Sequence, residues 1–238
     1  MSADQNDMGL GVFVKTPGLT PAKTRLGKTI GQERAEEFYL LSIACIRENL
    51  NHLQNINDSL NIYWSVVEED DVSKSFWNDH EIIFQCEGSL GKKLAHIDKE
   101  LSRRHGQSIF MGADSPQIDE ATFDRFFQLC LRVQHDHKKW CIMAPTLDGG
   151  FWLMAKNAVL PESEWEKVAY SASSTAQELI QVLQENQFYV ETFLPEQSDV
   201  DTIEDLKFVI ETMEVSPRGA KKNLKDWAQN LLSSDARV

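Results

Sequence analysis

The sequence predicts an α/β fold: a mixed, mostly parallel central sheet with helices on both faces. Three observations predict it. Short runs of β-branched and aromatic residues alternate along the chain with amphipathic segments of 3.6-residue period. In one place, around residues 140–155, two such runs lie a tight turn apart, which breaks the alternation and makes the sheet mixed. The 238 residues are 42 % hydrophobic and 26 % charged, an ordinary globular composition at a length that buries a core without staples.

The elements follow in order. The first strand is Leu10-Gly-Val-Phe-Val14, followed by a loop of Pro, Gly and Thr up to about Leu26. A helix then carries Phe38, Leu41, Cys45, Leu50 and Leu53 on one face. Residues 61–67 form the second strand, 72–77 a short helix and 82–85 the third strand. Residues 91–104 form a helix with Leu94, Ile97 and Leu101 turned inward. Residues 108–111 form the fourth strand, and Asp119 caps a helix carrying Phe123, Phe126, Phe127 and Cys130. Two strands, 140–144 and 151–155, flank the turn Pro145-Thr-Leu-Asp-Gly-Gly150. The serine-rich stretch Ser171–Thr175 is expected to cap a helix with Leu179, Ile180 and Leu183. Residues 188–193 form the last strand, with Asp199 and Asp201 at its end, and Asp201-Thr202 opens a helix. Residues 215–238 carry five basic and two acidic side chains, with Ala220, Leu224, Trp227 and Leu231 at helical spacing. Packing of this extension back onto the core is the expectation.

Charge narrows the function. With 24 basic and 37 acidic residues the net charge is −13. That excludes a general nucleic-acid binder, which needs clustered Lys and Arg to neutralise phosphates. It leaves room for a small phosphate ligand held by a local basic loop. The first residues lack a basic and then apolar targeting pattern, and no apolar run is long enough to span a membrane. Cysteines 45, 86, 130 and 141 form no C-x-x-C pair and lie in apolar stretches, which reads as reduced thiols of a cytoplasmic protein. His135-Asp-His137 places its histidines at i and i+2, which do not face each other on a helix.

Ligands of open α/β sheets bind beyond the carboxyl ends of the strands. The loop after the first strand, Lys15-Thr-Pro-Gly-Leu-Thr-Pro-Ala-Lys-Thr-Arg25, holds three cations and no carboxylate. Lys15, Lys23 and Arg25 suit a di- or triphosphate, the lysines as point charges and the arginine in bidentate fashion. Two nucleotide fingerprints fail. Gly27-Lys28-Thr29 ends like a P-loop, but Ala22 occupies the position of its first glycine. Gly9-Leu10-Gly11 precedes its strand's end, so it is no dinucleotide turn. Gly88-Ser-Leu-Gly91 sits between the third strand and a helix, where its amides would meet a ribose or phosphate. Asp114, in Gly112-Ala-Asp-Ser-Pro116, ends the fourth strand and suits a hard cation. In a strand Asp199 and Asp201 project to one side; one of them would ligate the same ion, and Asp201 equally reads as a helix cap. Asp148-Gly149-Gly150 closes a turn whose backbone admits a ligand closely.

Together these motifs resemble a bacterial glycosyltransferase-A-like family once described as a domain of unknown function, some members of which are arsenosugar-biosynthesis-type glycosyltransferases. The resemblance rests on Lys15-x-Pro17-x5-Lys23-Thr-Arg25-Leu26, Gly88-x-Leu90-Gly91, Gly112-x-Asp114-Ser-Pro116, Asp148-Gly-Gly150 and Asp199-x-Asp201-Thr-x-x-Asp205-Leu206, in that order, over residues 8–210. Some pieces also look like phospholactate and molybdenum-cofactor guanylyltransferases. The chain departs from the pattern at Thr20, where the family has glycine, and at Tyr170, where it has tryptophan.

The resemblance implies a nucleotide-diphospho-sugar transferase fold over residues 8–214, with a basic helical extension over 215–238. It implies a nucleotide-sugar donor, a small-molecule acceptor and Mg²⁺ or Mn²⁺. Lys15, Lys23, Arg25 and Gly91 would bind the nucleotide phosphates. Asp114 and Asp201 would hold the metal, with Asp199 next in line. Gly149, Gly150 and Tyr170 would line the acceptor pocket, where Asp148 would orient the acceptor or accept its proton. Metal-assisted glycosyl transfer is the leading expectation. Nucleotidyl transfer to a phosphorylated substrate and a non-catalytic nucleotide-binding module are the alternatives.

Overall fold

The computed structural model describes residues 7–214 and 217–235. Among them are seven strands in one sheet: β1 (Met8–Val14), β2 (Leu60–Val66), β3 (Glu81–Phe84), β4 (Gln107–Gly112), β5 (Trp140–Pro145), β6 (Phe151–Lys156) and β7 (Tyr189–Thr192). Their order is β3-β2-β1-β4-β6-β5-β7. Only β6 runs against its neighbours, antiparallel to both β4 and β5. The predicted mixed, mostly parallel sheet is therefore present, and the tight 140–155 pair is what makes it mixed.

The helices are α1 (Thr24–Ile30), α2 (Gln32–Ile56), α3 (Asp71–Phe76), α4 (Leu90–Arg104), α5 (Glu120–Asp136), α6 (Glu162–Trp165), α7 (Thr175–Glu185), α8 (Ile203–Thr212) and α9 (Gly219–Asp235). Helices α2 and α5 cover one face of the sheet. Leu10, Val12 and Val14 of β1 bury there with Phe123, Phe126 and Trp152. Helices α4, α6 and α7 cover the other face around Phe110, Leu94, Trp165 and Leu179. Phe123 and Phe193 meet the Trp152 ring edge-on at 5.7 and 6.5 Å, so Trp152→Ala would empty the first core and cost about 3–5 kcal/mol.

Two elements differ from the sequence reading. The loop ends at Lys23 rather than Leu26, and Gly31, at φ 89°, separates α1 from α2. A left-handed backbone there suits glycine and stops the helix. Helix α6 is a single turn, too short for a periodic signal. The basic extension packs back: Ala220, Leu224, Ala228 and Leu231 of α9 bury against the outer side of α2 and against α8. Trp227 lies 6.0 Å from the Phe38 ring and donates to Glu37 Oε2 at 3.0 Å.

Strand order reverses between β1 and β4, since β1 leads out to β2 and β3 while α4 carries the chain back to β4. The loops at the carboxyl ends of β1 and β4 diverge there and leave a crevice.

Candidate active site

The root of the cationic loop is held rigidly. The Tyr39 hydroxyl on α2 accepts from the Lys15 amide at 3.0 Å and donates to the Lys15 carbonyl at 2.9 Å. Burial raises this phenol's pKa well above the ordinary value, so it remains a neutral donor. The Thr16 amide donates to Glu68 Oε2 at 2.8 Å. The Thr16 hydroxyl donates to Ser73 Oγ at 2.8 Å and accepts from Trp77 Nε1 at 3.0 Å. This anchorage leaves Lys15 Nζ exposed, 3.4 Å from the Pro21 carbonyl.

Lys23 precedes α1 in the left-handed region, at φ 50° and ψ 40°, a conformation costing a non-glycine residue about 1 kcal/mol. It turns a buried ammonium onto Asp114 Oδ1, with Asp201 Oδ1 3.7 Å away. Arg25 Nη2 donates to Asp201 Oδ2 at 2.6 Å, while the guanidinium stays largely in solvent. Asp114 and Asp201, 87 residues apart in sequence, thus meet on one cation. Asp201 is free to do so because Thr202, not Asp201, caps α8. Thr202 accepts from the Asp205 amide, and the Asp205 carboxylate accepts from the Thr202 amide at 2.8 Å.

Residues 199–201 do not end the last strand as expected. Strand β7 stops at Thr192, and these residues belong to the following loop, tied to the β4 loop by Val200 N–H donating to the Asp114 carbonyl at 3.1 Å. Val200 is fully buried, and its neighbours Asp199 and Asp201 are only partly exposed, Asp199 against Ser115 and Asp201 against Lys23 and Arg25. Ser115 Oγ donates to Asp199 Oδ1 at 2.5 Å. Burial pushes the Asp199 carboxyl up to about 7, helped by the charges of Asp114 and Asp148; the Ser115 bond and Lys23 pull it down less.

Asp148 lies in the β5–β6 turn, its Oδ1 accepting from Thr146 Oγ1 at 2.6 Å and from the Gly150 amide at 3.1 Å. With Gly150 and Tyr170 it borders one cavity of about 480 Å³ that also reaches Asp114 and Asp199. Phe13, Phe110 and Phe151 line its floor. The Tyr170 hydroxyl donates to the Trp165 carbonyl at 3.0 Å, and burial holds its pKa above the ordinary phenol value. A contiguous cavity of about 500 Å³ lies under the cationic loop, between Lys15, Lys23, Arg25, Gln85, Lys93 and Asp201. Phe13, Arg25, Leu90, Asp114 and Ser171 border both. Two other cavities open at the amino ends of β1 and β4, near Met8 and Gln107, on the opposite edge of the sheet.

Three readings of the sequence change here. Gly91 is buried in the first turn of α4, where a Cβ would meet the Trp165 carbonyl oxygen at 2.9 Å and the Tyr170 ring at 3.0 Å. Packing against Trp165 and Tyr170 by itself requires a glycine here. Gly149, at φ 89°, makes room for the backbone of Ser173 rather than for an acceptor, and its carbonyl accepts from the Ala176 amide at 2.8 Å. The serine-rich stretch provides no side-chain cap for α7; Ser174 instead donates to Glu178 Oε1 at 2.7 Å, and Thr175 Oγ1 donates to the Ala169 carbonyl at 2.8 Å. His135 and His137 do not converge: His135 pairs with Asp136, and His137 stacks on Tyr189 at 3.5 Å.

Tyr39, Gln85, Lys93, Phe13 and Phe151 are cleft residues the sequence reading missed. Phe13 and Phe151 each stand at a strand end on the carboxyl edge, which was a usable signal; Lys93 and Gln85 had none, since their place depends on how α4 and β3 dock.

Among the described residues no three His, Cys, Asp or Glu side chains gather closely enough to hold a metal by themselves. The donors present are hard carboxylate oxygens, two of them already drawn onto an ammonium and a third, Asp199, whose pKa burial raises to about 7. That set fits a divalent hard cation whose remaining ligands come from water and a phosphate ligand. No helix among the described residues is long and apolar enough to cross a membrane.

The fold is shared with known structures. A candidate nucleotide-diphospho-sugar transferase from Desulfovibrio desulfuricans G20 superposes with a TM-score of 0.79 at 22 % identity, over 95 % of this chain and 97 % of that one. The 4-diphosphocytidyl-2C-methyl-D-erythritol synthase of Anaerococcus prevotii DSM 20548 gives 0.53 at 15 % identity, over 87 % and 97 %. The bifunctional IspDF of Campylobacter jejuni gives 0.52 at 13 % identity, over 84 % of this chain and 53 % of that one. No curated protein matches the chain. At these identities the structures share the nucleotide-diphospho-sugar transferase fold and no more. Residues 52–172, half of the chain, match the family described as an uncharacterized protein conserved in bacteria (DUF2064), and the chain belongs to that family.

Proposed function

We propose that this chain is an enzyme that transfers a glycosyl group from a nucleotide-diphospho sugar to a small hydroxylated acceptor. One observation carries the reading: the cleft changes sign along its length, from Lys15, Lys23 and Lys93 at one end to Asp148 and Asp199 at the other, with Arg25 and Asp114 bordering both halves and Asp201 paired to Lys23 and Arg25 between them. Breaking the sugar–phosphate bond leaves negative charge on the departing diphosphate. Lys15, Lys23 and Arg25 stabilise that charge where it develops, on a loop already fixed by Tyr39 and Thr16. Bound Mg²⁺ or Mn²⁺, held by Asp114 with Asp201 or Asp199, would supply further neutralisation of the diphosphate. Asp148 stands in the other half, where it orients the acceptor hydroxyl or takes its proton. Gly150 and Tyr170 border the acceptor beside it.

Nucleotidyl transfer to a phosphorylated substrate is the second reading, favoured by the fold likeness to the cytidylyl-type synthase. Against it stands the charge of the acceptor half, where three carboxylates face a single guanidinium that is already paired with Asp201. The two chemistries release different products. The protein incubated with sugar nucleotides and Mn²⁺ should release a nucleoside diphosphate, and Asp114→Asn should lower the rate at least 10²-fold. Pyrophosphate released from nucleoside triphosphates and a sugar phosphate would replace this reading with the second. Nucleotide binding without turnover of any donor would leave a binding module.

A further inference from the structure

The acceptor half of the cleft sets an aromatic floor under an acidic rim. Phe13 and Phe151 are half-buried, so part of each ring is left uncovered beside the polar rim. Leu90, at the entrance, is 43 % exposed although it opens a helix whose inner face is well packed. The floor is rigid: Phe13 stacks on Phe110 at 6.3 Å with an interplanar angle of 28°, and Phe110 is backed by Trp165 at 5.6 Å. Tyr170 lies against Gly91, and its hydroxyl is spent on the Trp165 carbonyl, which holds the ring at the cavity wall. A fixed aromatic floor of this kind favours a flat or apolar body lying on it. The acidic groups above the floor are Asp148, Asp199 and Asp114, the last paired with Lys23, and the bordering Arg25 is itself paired with Asp201; this rim offers acceptors to a hydroxyl and, among the described residues, no unpaired cation to an anion.

Resting on the transfer reading, we propose that the acceptor is an uncharged alcohol carrying an aromatic or alkyl body, which lies on Phe13, Phe151 and Tyr170 with its hydroxyl toward Asp148. The test uses three probes titrated calorimetrically into the full-length protein: phenyl β-D-glucopyranoside, D-glucose and D-glucose 1-phosphate. With excess inorganic pyrophosphate present to occupy the cationic half, the phenyl glucoside should bind at least tenfold more tightly than glucose, and the phosphate ester no more tightly than glucose. Phe151→Ala should weaken the phenyl glucoside at least fivefold. Leu90→Ser, at an exposed position that does not threaten folding, should weaken it about threefold. Equal affinity for glucose and its phenyl glycoside, tighter binding of the phosphate ester, or indifference to both substitutions would overturn the proposal. Uridine and guanosine diphosphates are titrated in parallel. Their failure to bind would overturn the transfer reading, whereas phenyl-glucoside selectivity without them would still support the apolar seat.

Discussion

The two halves of the cleft share one sheet edge but are built in opposite ways. The cationic half is assembled largely from one loop, residues 15–25, whose three cations fall within eleven residues of sequence and whose shape is imposed by Tyr39, Ser73 and Trp77 beneath it. The carboxylate half is assembled from three separate loops, after β4, β5 and β7, whose residues lie far apart in the chain. The first half has its charges mostly in water. The second places Asp199 deep enough that its proton is retained to about 7. The lesson is that a local motif can carry the charge for phosphate binding, while a site for charge-sensitive chemistry needs distant carboxylates held together against their own repulsion. Lys23 is the point where the halves join, since its ammonium takes the place of a cation between Asp114 and Asp201.

Removing that joint should have the largest effect. Lys23→Met takes away a buried ammonium and leaves Asp114 unpaired beside Asp201, whose remaining partner is the exposed Arg25. Nucleoside diphosphate affinity, read by calorimetry, is expected to fall by roughly 2–4 kcal/mol. A loss below tenfold would show that the cationic half does not depend on it.

The next test addresses the acidic half alone. The Asp199 pKa is raised in the folded chain, so its contribution to stability is complete below the unfolded value and is lost as pH rises through about 7. Asp199→Asn removes that loss and still accepts from Ser115. In chelator-treated protein the variant should gain stability over the wild type on going from pH 5 to pH 8, by about 1–3 kcal/mol in urea unfolding. A gain independent of pH would mean that Asp199 is not the buried acid the geometry describes.

Arg25 separates steering from anchoring. Its guanidinium is 66 % exposed, so Arg25→Ala should weaken nucleoside diphosphate binding by about 1.5 kcal/mol, the low end for a charge-assisted hydrogen bond, with the loss shrinking at high salt. Salt-independent loss would instead point to a packed role. The smallest effect is expected from Tyr170→Phe, which removes only the hydrogen bond to the Trp165 carbonyl and costs about 0.5–1.5 kcal/mol of stability in thermal unfolding. Tyr170→Ala, which also removes the ring, should lower phenyl glucoside affinity well beyond that of the phenylalanine variant.

Much of the fold was legible in the sequence because strands and long helices are specified by periodicity. The alternation of apolar runs and amphipathic segments yielded every strand of the sheet and its mixed character. The short α6, the break at Gly31 and the early start of α1 escaped because a single turn has no period to read. In the cleft, the basic loop stood out as a local charge reversal in an acidic chain. The motif glycines were harder. Gly91 read as part of an amide-donating turn and Gly149 as an opening for an acceptor, and the space a side chain would need at each is filled by the chain itself, by Trp165 with Tyr170 and by Ser173.

The sequence by itself determined which segments become strands, which end of the sheet carries the cations, and that Asp114 follows the fourth strand and Asp148 the fifth. These are properties of neighbours in the chain. Only the tertiary structure decided that Asp114, Asp201 and Lys23 meet, that Asp199 is buried beside them, and that Phe13 and Phe151 floor one cavity with Tyr170. Those facts depend on the strand order reversing between β1 and β4 and on how far each loop reaches. The reason is physical: periodicity is a local signal that fixes which face of an element is buried, whereas convergence of side chains is set by the packing of whole elements across the sheet.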